Sequence, residues 1–164
     1  MTTNAIFSLL LIGSNINASQ HLQKGLGFLG EKFDIDSKSP IYQSPPVGAP
    51  GTADYLNQAL IICDPPPHDH LRSQLRLIED VLGRKRSSDP NAPRTIDIDI
   101  LAYAGVDLQI LGEFPCDAAL ETLHHAAIPA AMIAPDWRFP GQGKTISEAS
   151  RSLGPAPAGF LVVT

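Results

Sequence analysis

Positive charge is scarce in this sequence: twelve Lys and Arg against seventeen Asp and Glu leave a formal net charge of −5 over 164 residues. That balance excludes a general binder of nucleic acid or anionic membrane, because such partners reward a broad positive surface, and any anion site must be local. Cysteine is nearly absent too. Cys63 and Cys116 lie far apart without CxxC or Cys/His metal spacing, which excludes a disulfide framework and a zinc site and leaves buried or incidental thiols. No stretch approaches the ~20 apolar residues of a membrane helix. The apolar start Ala5 to Ile12 has no basic residue ahead of it and runs into Gly13-Ser14-Asn15, so it reads as a first strand and not as a signal peptide. A soluble, cytoplasmic protein is expected. The glycine-rich phosphate frames GxxxxGK(S/T) and GxGxxG are also missing, so a nucleotide site here is not of the P-loop type.

An apolar content of 43% over this length supports one core and a single domain, 1–164. Ile6 to Ile12 reads as a buried central strand closed by Gly13. Leu22, Leu26 and Leu29 then mark a helix over Ser19 to Leu29, which two glycines weaken. Phe33 to Ser37 reads as a short strand, Ser39 to Asp54 as a stiff loop around Ser44-Pro45-Pro46-Val47-Gly48-Ala49-Pro50-Gly51, and Tyr55 to Cys63 as a second apolar strand that Pro65-Pro66-Pro67 ends. Leu71, Leu75, Ile78 and Leu82 predict a helix from about His68 to Leu82 with Gly83 as its stop. A polar surface loop, Arg84 to Pro93, leads to the strand Thr95 to Tyr103, and Ala104-Gly105-Val106-Asp107 to a hairpin turn. Ala118 to Ala134 is expected to be part helical with a break at Pro129, and the tail from Gly154 to be peripheral. Strands alternating with helices imply helices layered on a sheet that mixes parallel and antiparallel neighbours.

The chemistry concentrates in Arg94-Thr95-Ile96-Asp97-Ile98-Asp99-Ile100. Strand periodicity puts Asp97 and Asp99 on one face and the isoleucines on the other. Two carboxylates facing the same way repel unless a cation joins them, and magnesium, a hard ion that takes oxygen ligands and phosphate, suits the pair. A bare DxD is more often the solvated face of an edge strand, or a pair of aspartates matched to arginines. Here aspartate, depleted in strands, stands between isoleucines after a loop in which Arg84, Lys85, Arg86 and Arg94 gather four of the twelve basic residues. Arginine grips phosphate oxygens bidentately, so a metal site beside these cations points to a triphosphate. Glu79 reads from pattern as an exposed helix acid, and His124 and His125 as a polar pair at an element boundary; Asp117 and Glu121 nearby do not give metal-ligand spacing.

Five segments taken in order resemble the 6-hydroxymethyl-7,8-dihydropterin pyrophosphokinase family. They are Gly13-Ser14-Asn15, Tyr42-Gln43-Ser44-Pro45-Pro46-Val47-Gly48, Asp54-Tyr55-Leu56-Asn57, Ile78-Glu79 with Gly83-Arg84, and Pro93 to Ile100, with a partial return at Ile133-Ala134-Pro135-Asp136-Trp137. The resemblance implies an α+β, ferredoxin-like layered fold and transfer of diphosphate from ATP to the hydroxymethyl group of a reduced pterin in folate biosynthesis, releasing AMP, with two magnesium ions. It implies that Asp97 and Asp99 hold those ions and that Glu79, Arg84, Arg86, Arg94 and Ile100 address ATP. Ser44, Pro45, Val47, Gly48, Tyr55, Asn57 and His125 would hold the pterin, Tyr55 against its face and Asn57 on its edge. The implied partners are the two small molecules, with no nucleic acid and no membrane; a monomer is expected, and no side chain is assigned as general base.

The third section departs from the family pattern. Cys116 stands near an expected His, Leu123 near an expected Arg, His125 near an expected Phe, and Asn91 where a loop aromatic is usual. Loss of a phosphate-contacting arginine typically costs ~10²-fold or more in rate. A paralogue that binds a pterin or nucleotide without efficient transfer is therefore the alternative reading.

Overall fold

Alternation along the first strand, β1 (Ile6–Ser14), divides the molecule into two apolar layers: Leu9 and Leu11 enter one buried cluster, Leu10 and Ile12 the other. The computed structural model describes residues 4–48 and 51–163. Ala49 and Pro50 of the expected stiff loop lie outside the described residues. After β1 come α1 (Ala18–Lys32), β2 (Asp34–Lys38), β3 (Ile41–Ser44), β4 (Tyr55–Cys63), α2 (His68–Val81) and β5 (Asp97–Gly105). Then follow α3 (Ala119–Thr122), α4 (His124–Ile133), α5 (Ile146–Ser152) and β6 (Leu161–Val163).

The sheet runs β5-β1-β4-β3-β6, with β2 also paired to β4. Every pairing between these strands is antiparallel, which corrects the expectation of a mixed sheet. Each helical crossover does return the chain parallel to the strand before it, but another strand is inserted between the two. β4 separates β1 from β2 and β3, and β1 separates β4 from β5, so only antiparallel neighbours touch. The expected α+β layering holds, in the ferredoxin-like β-α-β-β-α-β order.

Leu22 and Leu29 of α1 and Leu71, Leu75 and Ile78 of α2 fill one layer with Leu60 and Ile62 of β4. One of the glycines expected to weaken α1 has a packing role: a Cβ at Gly25 would lie 2.7 Å from Ile12 Cδ1, so its absence lets the helix approach the sheet. On the other face α4 and α5 pack Ala126, Ala130, Ile146 and Ala149 against Leu9, Ala59 and Ile61.

Four further expectations are corrected. The stretch read as a continuous loop from Ser39 contains β3, which Ser39 helps to start by accepting the Ala59 N–H at 3.0 Å and donating to the Pro40 carbonyl. β5 begins at Asp97, two residues later than read, because Asn15 N–H donates to the Arg94 carbonyl and holds the preceding segment in a loop. The break in the alanine-rich region falls at Leu123, whose backbone is extended (φ −127°, ψ 121°), whereas Pro129 sits inside α4. The tail is not merely peripheral, since β6 closes on β3 and Phe160 packs on Tyr42 with ring centroids 5.5 Å apart.

Candidate active site

Where β1, β4 and β5 end together, alternate residues make a common floor. Gly13 is paired across the sheet with Asn57 on one side and Asp97 on the other, and Leu11 is paired with Ala59 and Asp99. A bulge displaces Leu101 between the pairs Leu9–Ala102 and Leu10–Ile100, so that Asp97 and Asp99 face the α4 side while Ile98 and Ile100 pack towards α1 and α2. As the outermost strand on that side, β5 carries the two aspartates at the edge of the sheet.

Two cavities meet at that edge. The first, about 270 Å³, has Leu11, Gly13, Tyr55, Asn57, Asp97 and Asp99 on its floor and Ser44, Pro45, Pro46 and Val47 on one wall. Pro90, Asn91 and Arg94 form another wall, and Leu123 and His125, at the start of α4, close it. The second, about 370 Å³, lies between α2 and β5, lined by His68, Arg72, Leu75, Arg76 and Glu79, by Arg84 and Arg86, by Asp97 to Ile100, and by Pro115, Cys116 and Asp117. Asp97 and Asp99 belong to both.

The sequence-predicted residues divide between these spaces. Ser44, Pro45, Val47, Tyr55, Asn57 and His125 line the first, and Glu79, Arg84, Arg86 and Ile100 the second. Gly48 stands just behind the first, at φ +70°, where an added Cβ would meet Asn91 Oδ1 at 3.4 Å. Arg94, expected among the residues that address ATP, instead lines the first cavity. Sequence reasoning did not assign His68, Arg72 or Arg76 to the site; their spacing of four residues with respect to one another, on the polar side of a strongly amphipathic helix, was the available signal.

Asp97 is held between two arginines. Arg84 Nη1 donates to its Oδ1 at 3.2 Å and to the Ile96 carbonyl at 2.8 Å. Arg94 Nη1 donates to its Oδ2 at 2.6 Å, and Arg94 Nη2 to the Pro90 carbonyl at 2.7 Å. Arg94 is itself fixed by Asn15, whose Oδ1 accepts the Arg94 N–H at 2.7 Å while its Nδ2 donates to the Ala53 carbonyl at 3.3 Å. Glu79, read from pattern as exposed, is buried. It accepts the Ile98 N–H at 3.2 Å and pairs with Arg86 at 3.1 Å, tying α2 to the strand that carries the aspartates.

Burial pushes the Asp99 carboxyl up to about 7, helped by the negative charges of Asp97, Asp117 and Glu79 and opposed by Arg94. Burial likewise raises Glu79. Asp99 is thus a buried carboxyl that faces three other carboxylates with only Arg94 opposing them, a condition that a divalent cation relieves. Among the described residues no three His, Cys, Asp or Glu side chains converge as ligands. Two carboxylates with open positions suit magnesium, which keeps water and phosphate oxygens, better than zinc. In the first cavity, burial lowers the pKa of His125 and raises that of Tyr55, so both rings are neutral at neutral pH.

Residues 9–135 match the family described as 7,8-dihydro-6-hydroxymethylpterin-pyrophosphokinase. A 2-amino-4-hydroxy-6-hydroxymethyldihydropteridine pyrophosphokinase of Methylorubrum extorquens is 34% identical over 161 residues, covering 88% of this chain and 92% of that one. The enzyme of the same name from Synechocystis sp. is 30% identical over 70% of this chain and 57% of its own length. The "Bifunctional protein FolKE" of Lactococcus lactis subsp. lactis is 36% identical over 62% of this chain, which spans only 30% of that protein.

Proposed function

Because the chain belongs to the 7,8-dihydro-6-hydroxymethylpterin-pyrophosphokinase family, we propose that it transfers the β,γ-diphosphoryl group of ATP to the hydroxymethyl group of 6-hydroxymethyl-7,8-dihydropterin, releasing AMP, as a step of folate biosynthesis. The observation that carries this reading is the shared wall: Asp97 and Asp99 line both the cavity suited to a flat heterocycle and the cleft rich in arginine. A group that passes from one ligand to another must do so where both meet.

In the first cavity Tyr55 offers an aromatic face and Asn57 donors and acceptors for the pterin edge, its Nδ2 now donating to Ser44 Oγ at 3.3 Å. The Ser44-Pro45-Pro46-Val47 wall presents backbone groups on a stiff frame, and the neutral His125 ring can stack without the cost of desolvating a charge. In the second cleft Arg84 and Arg86 are in place for phosphate. Asp97 and Asp99 would hold two magnesium ions, which when bound neutralise polyphosphate charge and lower the pKa of the pterin hydroxyl. The chain's own part is positioning and charge, which dominate phosphoryl transfer, and no side-chain base is required.

The test is AMP release from ATP and the reduced pterin with magnesium. Asp97→Ala and Asp99→Ala should each fall by about 10²-fold or more. Equal rates in all three proteins would remove the mechanism. One observation favours a second reading, a binder with weakened transfer: Leu123 puts an apolar side chain in the lining of the first cavity, near where an arginine is expected. Calorimetric pterin binding by a protein that releases no AMP would select it.

A further inference from the structure

Arg72 and Arg76 differ from the other arginines around the two cavities. Arg84, Arg86 and Arg94 each end on a carboxylate of Asp97, Glu79 or Asp80. Arg72 and Arg76 are exposed one turn apart on α2, and among the described residues neither is ion-paired, yet both line the second cleft. A guanidinium already matched to a carboxylate must share its donors with that partner when a phosphate arrives, whereas an unmatched one in a cleft is wholly open to an incoming anion.

Their place along the helix decides which part of a nucleotide they meet. Glu79 accepts the Ile98 N–H, so that end of α2 abuts the shared aspartates. Arg76 lies about one turn back from Glu79, Arg72 about two and His68 about three, a distance of roughly 16 Å at the rise of an α-helix. The group that crosses between cavities does so at Asp97 and Asp99. The part that stays behind therefore extends away from them, along α2.

We propose that Arg72 and Arg76 anchor the leaving half of the nucleotide, the nucleoside monophosphate, with Arg76 at its phosphate and Arg72 towards the nucleoside. This rests on the diphosphate-transfer reading above. It also supplies two free cations on α2 in a chain whose Leu123 stands where an arginine is expected. The two residues then set the affinity for the AMP product as well as for ATP.

Titration calorimetry of wild type and of the R72Q/R76Q double variant, with AMP, magnesium–ATP and inorganic pyrophosphate as probes, tests this. Both positions are exposed, and a thermal melt confirms that the variant is folded. Loss of charge-assisted hydrogen bonds should weaken AMP and ATP about 10- to 100-fold, leave pyrophosphate and pterin unchanged, and raise KM for ATP without lowering kcat. R76K should recover part of the AMP affinity. Unchanged AMP binding in the double variant overturns the proposal, as does an equal loss for pyrophosphate, which would put the guanidinium groups on the transferred half. The two readings fail separately. If wild type turns over but the variant binds AMP normally, only the anchor fails; if wild type binds AMP through these arginines but releases none from ATP with pterin present, only the transfer fails.

Discussion

Gly13 lies between Asn57 and Asp97 in a row across three strands, and an added Cβ there would come within 2.4 Å of Asn57 Oδ1. The missing side chain thus gives Asn57 room to lie over the floor of the first cavity. Turn chemistry at Gly13 was legible in the sequence, but this reason was not, because it depends on a cross-strand neighbour forty-four positions away. His125 shows the same limit, since its burial comes from the start of α4 closing over the sheet. Its pKa is lowered by that burial, so as pH falls below the ordinary value of 6.5 the unfolded chain takes up a proton that the folded site refuses. Stability should therefore be unaffected by this residue above about pH 7 and should decline on its account below about 6. His125→Phe should flatten that acid-side decline in thermal melts taken from pH 5 to 8, while keeping pterin affinity by offering a stacking face. An unchanged pH profile in the variant would refute the assignment.

Among the elements, β1, β4 and α2 were legible because each is a long apolar pattern with a hard stop, the triple proline for β4 and Gly83 at φ +83° for α2. The short pieces were not. β3 and β6 take their strand form from each other and from β4, and α3 and α4 carry small residues whose pattern does not mark a face. α5 is short too, yet it has a local signal: Thr145 is its N-cap and accepts the Glu148 N–H at 3.1 Å, with the T-x-x-E spacing in the sequence. Ile146 and Ala149, buried on the helix so capped, pack in the same layer as α4. Thr145→Ala should cost about 1 kcal/mol of unfolding free energy in denaturant melts. Pterin and ATP affinities should stay the same, because α5 contributes no residue to either cavity. A loss of affinity without loss of stability would show that α5 reaches the site through α4.

At the scale of the whole molecule, the acidic chain gathers five of its twelve basic residues, Arg72, Arg76, Arg84, Arg86 and Arg94, around the two cavities. The aspartate pair and the arginine loop could be read from sequence because they are contiguous. The cleft could not, because α2 contributes to it from across the β5 edge. Its lining holds Arg72, Arg76, Arg84 and Arg86 against Glu79, Asp97, Asp99 and Asp117, four cations and four carboxylates. Such a balance gives a polyphosphate little net attraction, and the aspartates nearest the transfer point repel it. The first cavity meets the pterin with neutral Tyr55, Asn57 and His125, so its affinity owes little to ions. Chelation of magnesium with EDTA should accordingly weaken ATP binding by about tenfold or more, a loss of at least ~1.4 kcal/mol, and leave pterin binding within about twofold. Asp99→Asn should narrow the ATP difference between the two conditions, because it removes both repulsion and a ligand. Calorimetry of each ligand with and without EDTA measures this, and equal sensitivity of pterin and ATP would mean that the ions organise the whole floor and not only the nucleotide side.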